Sequence, residues 1–470
     1  MKVLLMKPIN DVYYVIQPNL GLGYLAAVME DSGHSVCILD SGKEKFKWED
    51  FTVLIQKEKY DLVGIQMFTH EVVSARKHVC IIKKYSPNTI VICGGAHVSG
   101  DPQGTMHLLK DIDFGFVGEA EIGIEKFMSL KKEDYANYEL LKTIPNLVWR
   151  LGEKIIVNPR ESFKDLDRIK FPAWHLLSIS SYPTTPHGTF CKKKPVAPII
   201  ISRGCPFQCT FCAGKSITGK TIRYRSVNNV ITEIMSLHNK YGVKEIHIED
   251  DNFTLKKDYV VNFCNEIIKL GLDVVFALPN GVRLDTLDEE VLSLIEKAGF
   301  YSMAIGVESG SDRILALMKK NLSRESIKNK IDLIKKITKI NLTGFFLIGY
   351  PGESEKEILE TIDFAKTLKL DKASFMFLMP LPGSDLWDIY KRKEVKFDWD
   401  NFFYYRVVEG LSDIPVKNLK KLHRKAILEF YLRPKIISGL IKEIKTYTQI
   451  KTLGERLFNI FISALHNNKR

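Results

Sequence analysis

The 470-residue chain is 45% hydrophobic, 10% aromatic and 26% charged, which excludes collagenous, low-complexity and disulfide-stapled chains and leaves length for roughly two to four domains. Its net charge of +12 does not mark a nucleic-acid surface: from Pro415 onward thirteen Lys or Arg stand against only Glu429, Glu443 and Glu455, so the excess lies in the tail and the body is almost balanced. MKVLLMKPIN is too brief an apolar run for an export signal or a membrane span, and eight mostly scattered cysteines form no disulfide framework, so a reducing cytoplasm is expected.

Residues 1–135 alternate short β-rich runs (VLLM near the start, SVCIL at 35, LVGIQM at 62, TIVICGG at 89, DFGFVG at 113) with helical spacing over Leu22–Asp31, Val72–Tyr85 and Glu121–Leu130. Strands alternating with helices predict an α/β domain with a doubly wound parallel sheet. Residues 136–194 hold a hairpin, NLVWR then KIIVNPR joined by Leu151, Gly152 and Glu153, and a connection punctuated by Pro172, Pro183 and Pro186. From 195 to 390 the alternation restarts with PIIIS, EIHIED, DVVFAL, SMAIGVE, TGFFLIG and ASFMFLM. Six units predict a partial, open (β/α) barrel. Residues 391–470 read as basic, amphipathic and mainly helical, broken at Pro434 and Gly439.

Gly21, Gly23 and Ala26 spell G-x-G-x-x-A, but some fourteen residues, including Pro8 and Pro18, separate them from VLLM. A dinucleotide fingerprint needs its first glycine at a tight strand-to-helix turn, so nicotinamide or flavin binding is not expected. ISRGCPFQCTFC is the stronger signal. It sets Cys205, Cys209 and Cys212 on a loop just after a predicted strand, at the barrel end where chemistry is done. Thiolates suit Fe–S clusters or zinc, and three on a four-iron cubane leave one iron open for another ligand. The zinc alternative would need completion by Cys191, Cys264 or His187, with no second Cys pair at structural-zinc spacing.

Cys205, Cys209, the aromatic Phe211 and Cys212 resemble the loop of the radical SAM superfamily. That resemblance implies a [4Fe-4S] cluster on the three cysteines, whose open iron binds S-adenosylmethionine and cleaves it to a 5′-deoxyadenosyl radical. EDDNFT (249–254), NGVRLD (280–285), AIGVESGSDRIL (304–315) and GYPGE (349–353) are similar to later segments of that barrel. They nominate Phe211, Asp250, Asp251, Arg283, Glu308, Gly349 and Gly352 for the cofactor. A solvated acidic turn, a buried ion pair and a Gly-Pro turn are the plain structural readings of these pieces.

QPNLGLGYLAAVMEDSGHSVCILD, ICGGAHVSGDP and FVGEAE resemble the Rossmann-like cobalamin-binding domain that precedes such barrels in B12-dependent radical SAM proteins. Gly21, Gly23, Tyr24, Thr69, Gly94, Gly95, His97 and Glu119 are its candidates, although no Asp-x-His-x-x-Gly marks a lower axial histidine. The resemblance implies methyl transfer to an unactivated carbon or phosphorus of a small molecule or lipid, with flavodoxin or ferredoxin as electron donor. Alternatives are an RNA methylthiotransferase and a non-catalytic cobalamin or S-adenosylmethionine sensor. Cys80 in a helical pattern and Cys93 inside IVIC do not make the second cysteine triad the former needs, and the tail reads as helix rather than a β-barrel for RNA. For the tail, the two readings are a solvated helical face and peripheral contact with an anionic membrane or acidic partner.

Overall fold

Apolar runs bounded by turn residues become strands in both halves of the chain. A computed structural model describes residues 1–10, 16–183, 190–393, 397–399, 402–443 and 450. Strands β1 (Lys2–Lys7), β2 (Ser35–Asp40), β3 (Leu62–Gln66), β4 (Ile90–Gly94) and β5 (Phe114–Phe116) pair in parallel in the order β2-β1-β3-β4-β5. Alternate side chains feed two cores, one on each face. Leu4, Met6 and Val63 point into one, and Val3, Leu5 and Leu62 into the other, as expected of parallel strands covered by helices on both sides. The flanking helices include Leu20–Asp31, capped by the Asn19 side chain, Val72–Tyr85 and Glu121–Met128.

The hairpin is not merely part of the connection. Its strands β6 (Leu147–Leu151) and β7 (Lys154–Val157) join the free edge of β5 antiparallel, pairing Gly115 with Val148, and extend the sheet to seven strands. Burial of Trp149, whose indole N–H donates to Asn158 Oδ1 at 3.0 Å, explains why the hairpin docks.

The second lobe begins with β8 (Val196–Ile199) and a two-residue antiparallel pair, β9 (Ser202–Arg203) with β10 (Arg223–Tyr224). It continues through β11 (Glu245–Ile248), β12 (Val275–Val282), β13 (Phe300–Glu308), β14 (Asn341–Ile348) and β15 (Lys372–Phe377). These give a six-stranded parallel sheet in the order β15-β14-β13-β12-β11-β8, the open barrel expected from six units. The crossover helices start on Ser226, Asp288, Ser323 and Ser354 caps. Helices Val227–Tyr241 and Lys257–Leu270 stop at Gly242 and Gly271, where φ is positive.

The start of the tail belongs to this lobe. Helix Val416–Tyr431 buries Leu419, Leu422, Ala426 and Phe430, and its Tyr431 hydroxyl donates to Ala373 O (2.7 Å) on the edge strand β15. An otherwise open sheet edge is thereby covered. Helix Pro434–Glu443 follows, and the remainder of the tail read as helical, residues 451–470, lies outside the described residues. The lobes share packing: Leu20 and Tyr24 enter the barrel core. Gly23 lets Pro172 and Leu177 approach where a Cβ would sit 2.9 Å from each.

Candidate functional site

The loop carrying the three cysteines, residues 204–222, is closed at its base by the β9–β10 pair, in which Arg203 faces Arg223. Gly204 turns the chain at φ +99°, and a Cβ there would strike the Thr221 carbonyl, so only glycine lets the two ends lie so close. Cys205 N donates to Gly219 O at 3.2 Å. The middle of the loop is pinned to the segments that follow β13 and β14: Thr210 N donates to Met318 O (3.1 Å) at the end of helix Asp312–Leu317, and the Thr210 hydroxyl meets Tyr350 Oη at 2.8 Å. Phe211 packs against the apolar cluster around Met318 and Tyr350.

Burial pushes the thiols of Cys205 and Cys209 above the ordinary range and that of Cys212 up to about 11, while Lys320 and Arg283 pull Cys209 back down. Without a bound cation the thiols therefore stay protonated. Among the described residues no three His, Cys, Asp or Glu side chains converge where a single ion would sit, and a polynuclear cluster spaces its ligands wider than a lone ion does. Cys191 cannot complete a zinc site with them. It lies beside Glu245, at the start of β11 and so at the opposite end of the barrel. Cys264 is fully buried in helix Lys257–Leu270, and His187 is outside the described residues. Three loop thiols beside Arg283 and Lys320 are a donor set that fits an anionic iron–sulfur cluster.

Around the loop, the nominated polar residues divide into two groups. Asp251, Arg283 and Glu308 are brought to the triad. Asp251 accepts from Thr218 Oγ1 at 2.7 Å, and its charge reaches Cys205 and Cys212. The Arg283 guanidinium lies 3.6 Å over the Phe207 ring and donates to Asp285 and to Lys320 O. Glu308, held at φ +65°, pairs with Lys320 Nζ at 2.8 Å in a buried site.

Asp250, Gly349 and Gly352 are scaffolding instead. Asp250 accepts from Ile201 N, Ser202 N and Ser202 Oγ (2.7, 2.9 and 2.6 Å), tying β11 to the root of the loop, and burial pushes its carboxyl up to about 7. Gly349 faces Leu419 and Ser412, and Gly352 N donates to Asp413 at 3.0 Å, so both meet the C-terminal segment around a cavity of about 390 Å³ rather than the cysteines. Lys320, Phe207 and Thr218 were not singled out by sequence, which carries no local signal for them.

In the first lobe, Thr69, Gly94, Gly95, His97 and Glu119 follow the C-terminal ends of β3, β4 and β5. Gly95 sits at φ +103° with Met67 O 2.9 Å from where a Cβ would be, so this turn demands glycine. Added Cβ atoms at Gly21 and Gly94 would meet only ordinary contacts at 3.5 Å or beyond. His97 is buried, its Nδ1 3.3 Å from Thr69 Oγ1 and its ring edge-on to Trp399 at 5.1 Å; burial pushes its imidazole down to about 4. Tyr24 is buried beneath the Arg203 guanidinium at 5.0 Å, and both Glu119 oxygens are engaged by Arg203 and Arg223.

A segment that the sequence reading left within the tail bridges the two regions. The Phe403 ring packs edge-on to His70, which stacks with Phe68 at the end of β3, while Tyr404 lies in electrostatic reach of Cys212. Phe68 and Tyr404 each keep 40% of their surface exposed and Cys212 is also exposed. Small residues on the strand ends and aromatic walls fit a flat macrocycle such as a corrin.

Glu71, next to His70, is buried, and burial pushes its carboxyl up to about 7. Its raised folded value means the native state holds the proton between about pH 4.3 and 7, so stability falls as pH rises through that window. Glu71→Gln is expected to remove this component. Unfolding free energies from urea titrations at pH 5 and 8 should differ less in the variant than in the parent, by on the order of 2–3 kcal/mol; equal differences would refute the assignment.

Residues 6–127 match the B12 binding domain family and residues 199–365 the Radical SAM superfamily. The chain is 33% identical over 454 residues to an uncharacterized methyltransferase of Pyrococcus horikoshii, covering 94% of this chain and 95% of that protein. It is 30% identical over 467 residues to the cytidylyl-2-hydroxyethylphosphonate methyltransferase of Streptomyces wedmorensis, covering 88% and 86%. The structure of the cobalamin-dependent S-adenosylmethionine radical enzyme OxsB with aqua-cobalamin bound has the same fold, with a TM-score of 0.71 at 16% identity over 98% of this chain and 71% of that one. With a B12 binding domain joined to a radical SAM barrel and relatives of this identity over nearly its whole length, the chain belongs to the cobalamin-dependent radical SAM enzymes, whose cofactors are a [4Fe-4S] cluster, S-adenosylmethionine and cobalamin.

Proposed function

We propose that this enzyme transfers a methyl group to an unactivated carbon or phosphorus of a small molecule or lipid. The observation carrying the proposal is the return of the chain across both lobes, in which Phe403 packs on His70 beside Phe68 at the end of β3 and the next residue, Tyr404, lies in electrostatic reach of Cys212. Methyl transfer to an unactivated centre needs both cofactors to reach one substrate. When bound, the cluster with S-adenosylmethionine supplies one-electron chemistry and cobalamin supplies the methyl donor. Cys205, Cys209 and Cys212 would hold the cluster, with Arg283 and Lys320 offsetting its charge. Asp251 and Glu308 would orient the polar end of S-adenosylmethionine, with Phe211 fixing the loop. Asp250 ties β11 to the root of the loop, and Gly349 and Gly352 seat the C-terminal segment. Gly21 and Gly94 would give the corrin room, with Thr69, Gly95 and His97 supporting its floor. An external reductant of the flavodoxin or ferredoxin class completes the cycle.

Anaerobic protein reconstituted with iron, sulfide and hydroxocobalamin, then given S-adenosylmethionine and chemical reductant, tests this reading. The phosphonate nucleotide named for the Streptomyces relative is the first substrate to supply. Release of 5′-deoxyadenosine together with S-adenosylhomocysteine is expected. 5′-Deoxyadenosine with methionine alone would replace methylation by another radical rearrangement, and neither product would favour a sensor.

Among the described residues no helix is long and apolar enough to cross a membrane, yet Leu428, Leu432, Ile437 and Ile441 are exposed. On helix Val416–Tyr431, Lys417, Lys421, Arg424 and Lys425 share the exposed face that Leu428 continues. This combination supports contact with an anionic lipid surface, each basic side chain there contributing ~1 kcal/mol. Co-sedimentation with phosphatidylglycerol vesicles should fall several-fold in a Leu432→Glu, Ile441→Glu variant, and equal pelleting would leave the face merely solvated.

A further inference from the structure

We infer that Glu119 of the first lobe is a positioning residue for the cluster loop of the second. The inference rests on the reading that Cys205, Cys209 and Cys212 hold the cluster. Arg203 and Arg223 face each other across the β9–β10 pair at the root of that loop. Like charges directly opposite in an antiparallel pair repel, and both side chains here are nearly buried. Glu119 sits between them. Its Oε2 accepts from Arg203 Nη1 and Arg223 Nη1, each at 3.1 Å, and its Oε1 pairs with Arg223 Nη2. Glu121 takes the remaining Arg203 donor at 2.7 Å.

The arrangement reaches the cysteines through the loop itself. Arg223 also donates to Thr218 O at 3.1 Å, and Thr218 Oγ1 donates to Asp251, whose charge is felt at Cys212 and Cys205. The loop that carries the cluster ligands is thus closed by a carboxylate it does not contain. The cobalamin lobe, through Glu119, decides whether the root of the loop can shut. Removing one member of a buried ionic set leaves the others uncompensated, so a neutral residue at 119 leaves two guanidinium groups side by side, Arg203 paired by Glu121 and Arg223 with only the carbonyls of Phe163 and Thr218.

The test reads the cluster rather than turnover. Reconstituted parent, Glu119→Gln, the double variant Glu119→Gln, Arg223→Gln, and Lys391→Ala are compared for iron per chain, rate of iron loss to a chelator, and the electron paramagnetic resonance spectrum of the reduced cluster with and without S-adenosylmethionine. Lys391→Ala removes the ion pair with Asp101, another contact between the lobes that does not touch the loop. Glu119→Gln is expected to lose iron roughly 10-fold faster and to show a weakened spectral response to S-adenosylmethionine. The double variant should recover both in part, because only Arg203 remains and Glu121 still pairs it while the Arg223 contact with Thr218 O is gone, and Lys391→Ala should match the parent. Parent-like iron retention and spectra in Glu119→Gln would overturn the inference. So would a double variant as leaky as the single one, since loss of lobe contact and not of charge balance would then be the cause. Iron absent from the parent itself would overturn the cluster assignment and this inference together.

Discussion

Replacing Cys205, Cys209 and Cys212 together by Ala is expected to abolish iron binding and release of 5′-deoxyadenosine while leaving a folded protein that still binds cobalamin. None of the three thiols is in a packed core: Cys205 and Cys209 are half-buried and Cys212 is exposed. The loop backbone is held by other groups, including Thr210 with Tyr350 and Gly204 at its root. Truncating such side chains costs little stability, so denaturant midpoints should stay within about 1 kcal/mol of the parent. The first lobe has its own two cores on either side of its sheet, which is why cobalamin retention should survive. Iron analysis after anaerobic reconstitution, expected at about four per parent chain and near background in the variant, decides the matter. Full iron in the variant would move the cluster elsewhere, and zinc in the parent would replace it.

The legible parts of this molecule were those written in local pattern. Strand and helix alternation gave both sheets because each apolar run is short, bounded and buried on two faces, and the C-x₃-C-x₂-C spacing located the loop before any contact was known. What escaped depends on residues far apart in sequence. The hairpin joins the first sheet because β5 leaves an open edge, and helix Val416–Tyr431 covers the opposite problem at β15; neither edge is visible in the segments that fill it. Glu119 reads as one acid in FVGEAE, yet its partners lie 84 and 104 residues away. Asp250 and Asp251 are adjacent and were nominated alike, but the strand end turns one into the β11 junction and the other toward Thr218. Phe403 and Tyr404 lie in the stretch read as tail, and only the return of the chain across both lobes brings them to His70 and Cys212.

Lys320→Met is expected to cost the second lobe about 3–5 kcal/mol, the range for stranding one partner of a buried ion pair. Glu308 and Lys320 are each below 10% exposed at the side chain and lie 2.8 Å apart. The site is tighter than that distance alone implies. Glu308 occupies φ +65° at the end of β13, a conformation that disfavours non-glycine residues, and the pair holds it there. At Gly306 an added Cβ would come within 2.6 Å of Lys320 Nζ, so no neighbouring side chain can move in to compensate. Lys320 O also accepts from Arg283, whose guanidinium covers Phe207 inside the cluster loop. Loss of the ammonium should therefore loosen the loop as well as the strand end. Chemical denaturation of Lys320→Met, Glu308→Gln and the double variant gives the coupling directly. The double variant should regain most of the loss, since an amide beside a thioether buries no uncompensated charge. Losses that simply add would mean that the two side chains do not act as a pair, and that the positive φ of Glu308 is held by the β13–β14 register alone.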